Sequence, residues 1–378
     1  MKLFFYELRK IFSWKLLVLI LLVNVILFKL LIEFDLDYFP NGRPAGHHFT
    51  IEQHIIPMFG AEWDDGELSE FQGMYAAEVA TADAYLANDP QAIAAGLNSY
   101  EKFNNFDDEN EEQYAYHSKI TFESDLDFPW RLQAYEWYIT ENEYREESML
   151  ADMNDVSEGQ KKRLQQLLDE KRFAVYTDIV TSNFKTYKTS IAIAIFVSIA
   201  ILISPIFIRD KIANVVPLQY ASAKGRQLYR TKWLAGLFSG TLLTTALLAF
   251  YMWLYQSNDT QSHFDLPLTA FGWNYHWYDM TFWQYILLSV VVIFILSIVL
   301  TMFTMVISTV VPNRIALIGV QIVVLFLMIA VGATYAVQHV ISLNFSQLFV
   351  PGVVGGFTLV TVVAMLVVWK RELERDIS

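Results

Sequence analysis

Apolar residues fall in long unbroken runs separated by polar stretches, a pattern foreign to a soluble core. A helix rising about 1.5 Å per residue needs roughly 20 apolar residues to cross a hydrocarbon layer of about 30 Å. Runs of this kind predict transmembrane helices over 16–34, 187–208, 233–255, 282–311 and 314–337, with a sixth inside 338–369. Residues 1–15, MKLFFYELRKIFSWK, are amphipathic and carry Lys2, Arg9, Lys10 and Lys15. A signal peptide competes for this start. No small-residue cleavage site follows, however, and the run exits through Glu33, Asp35 and Asp37, so an uncleaved first helix is expected.

Residues 35–186 read as a separate domain. Helical spacing recurs over 67–86, 130–150 and 159–176, the last expected to run on toward the second span, with turn signals at Asn88-Asp89-Pro90, Phe128-Pro129 and Asn154-Asp155. The predicted fold class is therefore an all-α polytopic membrane protein: six transmembrane helices, with a large, mostly helical domain between the first two.

Charge sets the orientation. The net charge of −13 hides a division: residues 35–186 hold 31 acidic against 11 basic residues, the remainder 9 against 16. Lys and Arg gather in the N-terminal segment, in the connection 209–232, at Arg314 and in the tail 370–378, whereas 256–281 and 338–347 contain none. Basic loops stay cytoplasmic, so both termini are expected inside and 35–186 outside. Trp253, Tyr255, Trp273, Tyr275, Trp277, Tyr278 and Trp283 crowd the outer ends of the third and fourth helices, where rings suit the headgroup layer. An acidic domain without a basic stripe is a poor nucleic-acid binder. The absence of cysteine excludes disulfides and thiolate chemistry and fits a bacterial plasma membrane.

Catalytic signatures are missing. The chain has no G-x-x-x-x-G-K-[ST] loop, no H-E-x-x-H and no G-x-S-x-G, so it is read as a non-enzyme that binds no cofactor. His47, His48 and His54 are read as packed or solvated, not as metal ligands. Helices two to six, at these boundaries, carry no mid-span ionisable residue, which argues against a proton-driven carrier. Hydroxyl and small residues do recur in the spans. Close packing explains each one; a weakly polar path through Thr241, Thr244, Thr245, Thr304, Ser308 and Gln321 is the sharper reading.

The connection 209–232 contains Pro217 and then Ser222, Lys224, Gly225, Arg226, Tyr229 and Lys232. Together with the basic amphipathic start Glu7-Leu8-Arg9-Lys10-Ile11 and the six-span plan, this resembles the permease subunits of type-2 ABC exporters. In that family the string Ser-x-x-(Gly/Ser)-Arg-x-x-Tyr-x-x-Lys closes a coupling helix after the second span; Ser222, Gly225, Arg226, Tyr229 and Lys232 match its spacing. The resemblance implies that Glu7, Arg9, Lys10, Pro217, Ser222, Lys224, Gly225, Arg226, Tyr229 and Lys232 face an ATP-binding subunit, which uses ATP and Mg. It further implies a second permease subunit, identical or related, export of a hydrophobic or amphipathic substrate, and a re-entrant segment around 345–356 with Pro351. A membrane-anchored surface sensor or scaffold, whose outer domain binds a ligand or partner, is the alternative.

Overall fold

The computed structural model describes residues 2–154, 156–221, 225, 227–272 and 275–374. Among them the secondary structure is helical, with isolated bridges such as Tyr176 to Phe271 and no strand. The main helices, in chain order, are α1 (Lys2–Ile11), α2 (Trp14–Leu27), α3 (Ala45–Phe59), α4 (Asp65–Leu86), α5 (Phe128–Asp152), α6 (Glu158–Asp169), α7 (Ile179–Ile203), α8 (Pro205–Ile212), α9 (Val216–Ala221), α10 (Gln227–Tyr255), α11 (Phe282–Val310), α12 (Arg314–Leu327) and α13 (Phe349–Glu374). Among the described residues, six helical segments are long and apolar enough to cross a membrane: Trp14–Asp37, Ile179–Ile212, Gln227–Asn258, Phe282–Val310, Arg314–Val337 and Phe349–Glu372. The chain divides into two compact units, one comprising 1–38, 182–259 and 283–378, the other 39–181 and 260–282.

The first unit contains the spans. α7 is its centre: 72% of its most apolar window is buried, against 11% for the first and last spans. Close approach is possible because α10 carries Gly236 and Gly240 four residues apart, on one face. A Cβ on Gly240 would overlap the Thr301 side chain of α11, and one on Gly236 would overlap Met305 and Ile206. α7 ends at Ile203, just before Pro205 opens α8 with a ring nitrogen that cannot donate a backbone bond. The Ser308 hydroxyl of α11 accepts instead from the Phe207 and Ile208 N–H groups at 3.1 and 3.2 Å, and donates to the Ser204 carbonyl at 2.6 Å.

Several boundaries differ from the pattern-based expectation. α7 starts at Ile179, eight residues before 187, because its polar lead-in continues the same helix. Residues 170–178 are turn and extended chain, so the run over 159–176 stops at Asp169 and does not reach the second span. Residues 338–348 are irregular, and Phe349 begins one uninterrupted helix with Pro351 in its first turn, where a missing N–H costs nothing. α13 also runs on through Glu374, past the predicted end at 369.

The second unit joins 39–181 to 260–282. Asp64 with Glu67, and Ser157 with Gln160, form capping boxes that start α4 and α6. Leu86, Ala92, Leu97, Phe103 and Leu132 pack as an apolar core. Glu52 of α3 is fully buried. Its carboxylate accepts from the Tyr138 hydroxyl at 2.8 Å and from the Thr177 N–H and hydroxyl at 2.7 Å each, and lies 3.1 Å from His263 Nε2. A buried carboxylate survives only with such partners, and here they come from three separated stretches of chain. Gly272 N–H to the Tyr176 carbonyl, and Arg163 paired with Asp279 at 2.5 Å, fasten the same loop.

Candidate functional site

Those of the coupling residues that the structure describes gather at the basic end of the first unit. α1 packs on α10 and α8, burying Glu7 and Ile11 while Arg9 stays exposed. The Phe4 ring meets Phe238 of α10 edge to face at 5.9 Å. Glu7 pairs with Lys10 at 2.8 Å, and Lys10 lies 3.9 Å from Asp210 of α8. Asp210 forms a tight ion pair with Lys232 of α10 and accepts from the Gln219 amide of α9 at 2.9 Å. Arg209 donates to the Lys10 carbonyl at 3.3 Å. One polar chain thus joins α1, α8, α9 and α10.

Aromatic packing reinforces that base. The Tyr229 ring lies 5.3 Å from Phe207 and 5.4 Å from Trp369 of α13. Lys211 donates to the carbonyls of Thr309, Val310 and Val311, capping the end of α11 with a positive charge where the helix dipole favours one. Pro217 is exposed on α9, beside Leu218 at 73% exposure. Gly225 has φ +35°, a backbone conformation that a Cβ disfavours. Ser222, Lys224 and Arg226 lie outside the described residues.

The six positions of the polar path are dispersed over helix contacts. Thr304 accepts from the Gln321 amide at 3.1 Å, joining α11 to α12. Ser308 serves the α7–α8 break. Thr245 donates to the Thr241 carbonyl at 2.9 Å within α10, and Thr244 is buried with no hydrogen-bond partner among the described residues. None of the six lines the apolar cavity beside α13 or the two cavities at the basic end of this unit.

Two polar clusters in the spans escaped the sequence reading. Asn24 of α2 donates to Ser198 of α7 at 2.7 Å and accepts from the Tyr251 hydroxyl of α10 at 2.8 Å, so a single amide registers three spans. Lys188 of α7 is fully buried, bonded to the Tyr285 hydroxyl at 2.5 Å and to Ser289 at 3.2 Å, with its ammonium 3.9 Å from the Tyr285 ring centre. A second span that starts at 187 places Lys188 at its edge. The clue available in sequence was two lysines, Lys185 and Lys188, beside Tyr187 in a helical phase.

In the second unit, His48 packs edge to face on Trp137 and Tyr138, with ring centres 5.2 and 5.4 Å apart, and His47 lies 3.8 Å from Asp127. Burial holds both histidines below the usual value. No family model matches the chain, and comparison with curated proteins and with solved structures yields no significant match.

Proposed function

We propose that this chain is the membrane-spanning permease subunit of an ATP-driven exporter of the type-2 ABC class, moving a hydrophobic or amphipathic substrate. In this reading both termini and the α8–α10 connection are cytoplasmic, the unit built from 39–181 and 260–282 is extracytoplasmic, and the membrane is a bacterial plasma membrane. A separate ATP-binding subunit uses ATP and Mg, and a second permease subunit completes the pathway.

The observation that supports it most is the polar chain Glu7–Lys10–Asp210–Lys232, with Gln219. It locks the amphipathic helix and the exposed α9 to the ends of three spans, so force applied at α1 or α9 reaches α7, α10 and α11 through rigid contacts. Coupled switching needs a lever tied to a packed element with more than one arrangement. The permease supplies no catalytic group; its residues transmit displacement.

The test is affinity purification in mild detergent of the wild type and of Arg226→Glu with Tyr229→Ala, scoring an ATP-binding subunit and the ATPase activity of the eluate. Recovery with the wild type and loss or uncoupling in the variant is expected. Absence of any ATPase with folded wild-type protein would move the sensor or scaffold reading ahead.

A further inference from the structure

The first unit contains an apolar cavity of about 400 Å³ between α11, the α12 segment that runs to Val337, and α13. Leu300, Phe303, Met328 and Phe357 form part of its wall, and Thr361 is the one lining residue with a polar side chain. Two missing side chains make the space: Gly352 and Gly356 lie on one face of α13, and a Cβ on either would meet nothing within 4 Å. The wall falls in the middle of Phe282–Val310 and Arg314–Val337 and within the first half of Phe349–Glu372. Its volume lies in the range of ligand pockets, about 300–1,000 Å³. One threonine is too few polar partners to hold water there, and an apolar cavity of that size takes an apolar guest.

A second cavity, of about 550 Å³, lies between the ends of α11 and α13 and is lined by Lys211, Thr309, Lys370, Arg371, Glu372 and Glu374. The α13 face that lines the first continues into the second, since positions 356, 360, 364, 367 and 371 follow helical spacing and Ala364 between them is small. Positions 303, 306 and 310 do the same on α11. Gly356 and Arg371 are about 22 Å apart along the axis. An apolar slot at mid-span, with cations outnumbering carboxylates three to two at the end of the same two helices, matches a molecule with a long hydrocarbon chain and a phosphate.

We infer that α11 and α13 hold one glycerophospholipid, an acyl chain filling the apolar cavity and the phosphodiester at Lys370 and Arg371. The assignment requires only that the spans sit in a bilayer, so it stands apart from the exporter reading. The test uses the full chain in lipid nanodiscs with a trace of phosphatidylglycerol carrying a photoreactive group in one acyl chain, and in parallel the diacylglycerol of the same chains. Labelling by phosphatidylglycerol is expected at Met328 and Phe357. Gly352→Leu with Gly356→Leu should reduce it about five-fold while leaving labelling at the outward-facing Ile318 and Ile322 unchanged, and Lys370→Gln with Arg371→Gln should reduce phosphatidylglycerol labelling about three-fold without changing that by diacylglycerol. Competition on the wild type asks the same question without substitution: unlabelled phosphatidylglycerol should displace the probe and diacylglycerol should not. Labelling spread evenly over the lipid-facing helices and unaffected by the leucines, or equal displacement by diacylglycerol, overturns the assignment.

Discussion

Lys232 shows how one side chain can hold a junction together. It is 4% exposed and its ammonium pairs with Asp210, which also takes the Gln219 amide. Removing one partner of a buried pair strands the other charge, typically at roughly 3–5 kcal/mol, whereas replacing both with apolar groups is often nearly neutral. Lys232→Met should therefore lower the thermal midpoint in detergent clearly, and Lys232→Met with Asp210→Leu should recover most of the loss; a double variant as unstable as the single one would contradict the pairing. Titration belongs to the same scale. Burial holds His47, His48 and His117 below 6.5 and, with Lys185 and Lys188 adding repulsion, lowers His339 to about 4. The unfolded chain takes up those protons near 6.5 while the folded one refuses them, so stability is complete above about 6.5 and falls as the pH drops below it. Burial raises Tyr138, Tyr75 and Tyr100, and lifts Tyr176 to about 12; these groups contribute stability below about 10 that is lost as the pH climbs past it. A thermal midpoint flat between about pH 6.5 and 10 and falling on both sides is the expected profile, measured by intrinsic fluorescence. A midpoint that rises from pH 6.5 to 5 would contradict it.

Helices were the most legible elements, and their ends the least. The runs over 233–255 and 282–311 lie within or nearly coincide with α10 and α11, because about 20 consecutive apolar residues leave little choice of structure. α7 starts earlier than its apolar run because Asn183, Lys185, Thr186 and Lys188 look like loop in sequence, yet Asn183, Thr186 and Lys188 find partners in Asp35, Asn258, Tyr285 and Ser289 that no local pattern shows. The α10–α11 contact was legible only as a scatter of small residues; the structure makes Gly240 the position where Thr301 leaves no room. Thr301 is β-branched and stiff, so a larger residue at 240 must push the helices apart. Gly240→Leu should cost roughly 1–3 kcal/mol or more of stability by overpacking, while Gly356→Leu, facing open space, should cost far less. Heat-induced aggregation of the two purified variants compares them directly, and equal losses would contradict the packing account.

For the molecule as a whole, the sequence reading anticipated six membrane-crossing segments and a helical domain between the first two, but not that 260–282 belongs to the same compact unit as 39–181. That association depends on Glu52 and His263, 211 positions apart, and on Arg163 with Asp279, pairings that no spacing rule announces. Among the described coupling candidates, Glu7, Lys10, Tyr229 and Lys232 come together at one base, whereas Thr241, Thr245, Thr304, Ser308 and Gln321 serve separate helix contacts. The chain has no cysteine, so single cysteines report cleanly on topology. Cysteines placed at Arg9, Pro217 and Arg371 should be shielded from an impermeant maleimide in intact cells, and cysteines at Glu109 and Ser257 should be labelled; labelling of Pro217→Cys from outside would invert the proposed orientation. The claim on which the account turns is that α1 and α9 meet an ATP-binding subunit. The most direct measurement is cross-linking in the native membrane from Leu218→Cys on exposed α9 and from Tyr6→Cys on α1, with the captured peptides sequenced. Both positions should capture a soluble protein with a G-x-x-x-x-G-K-[ST] nucleotide loop, and capture should change when ATP is added. Capture of no such protein from either position, with the variants correctly inserted, would contradict it.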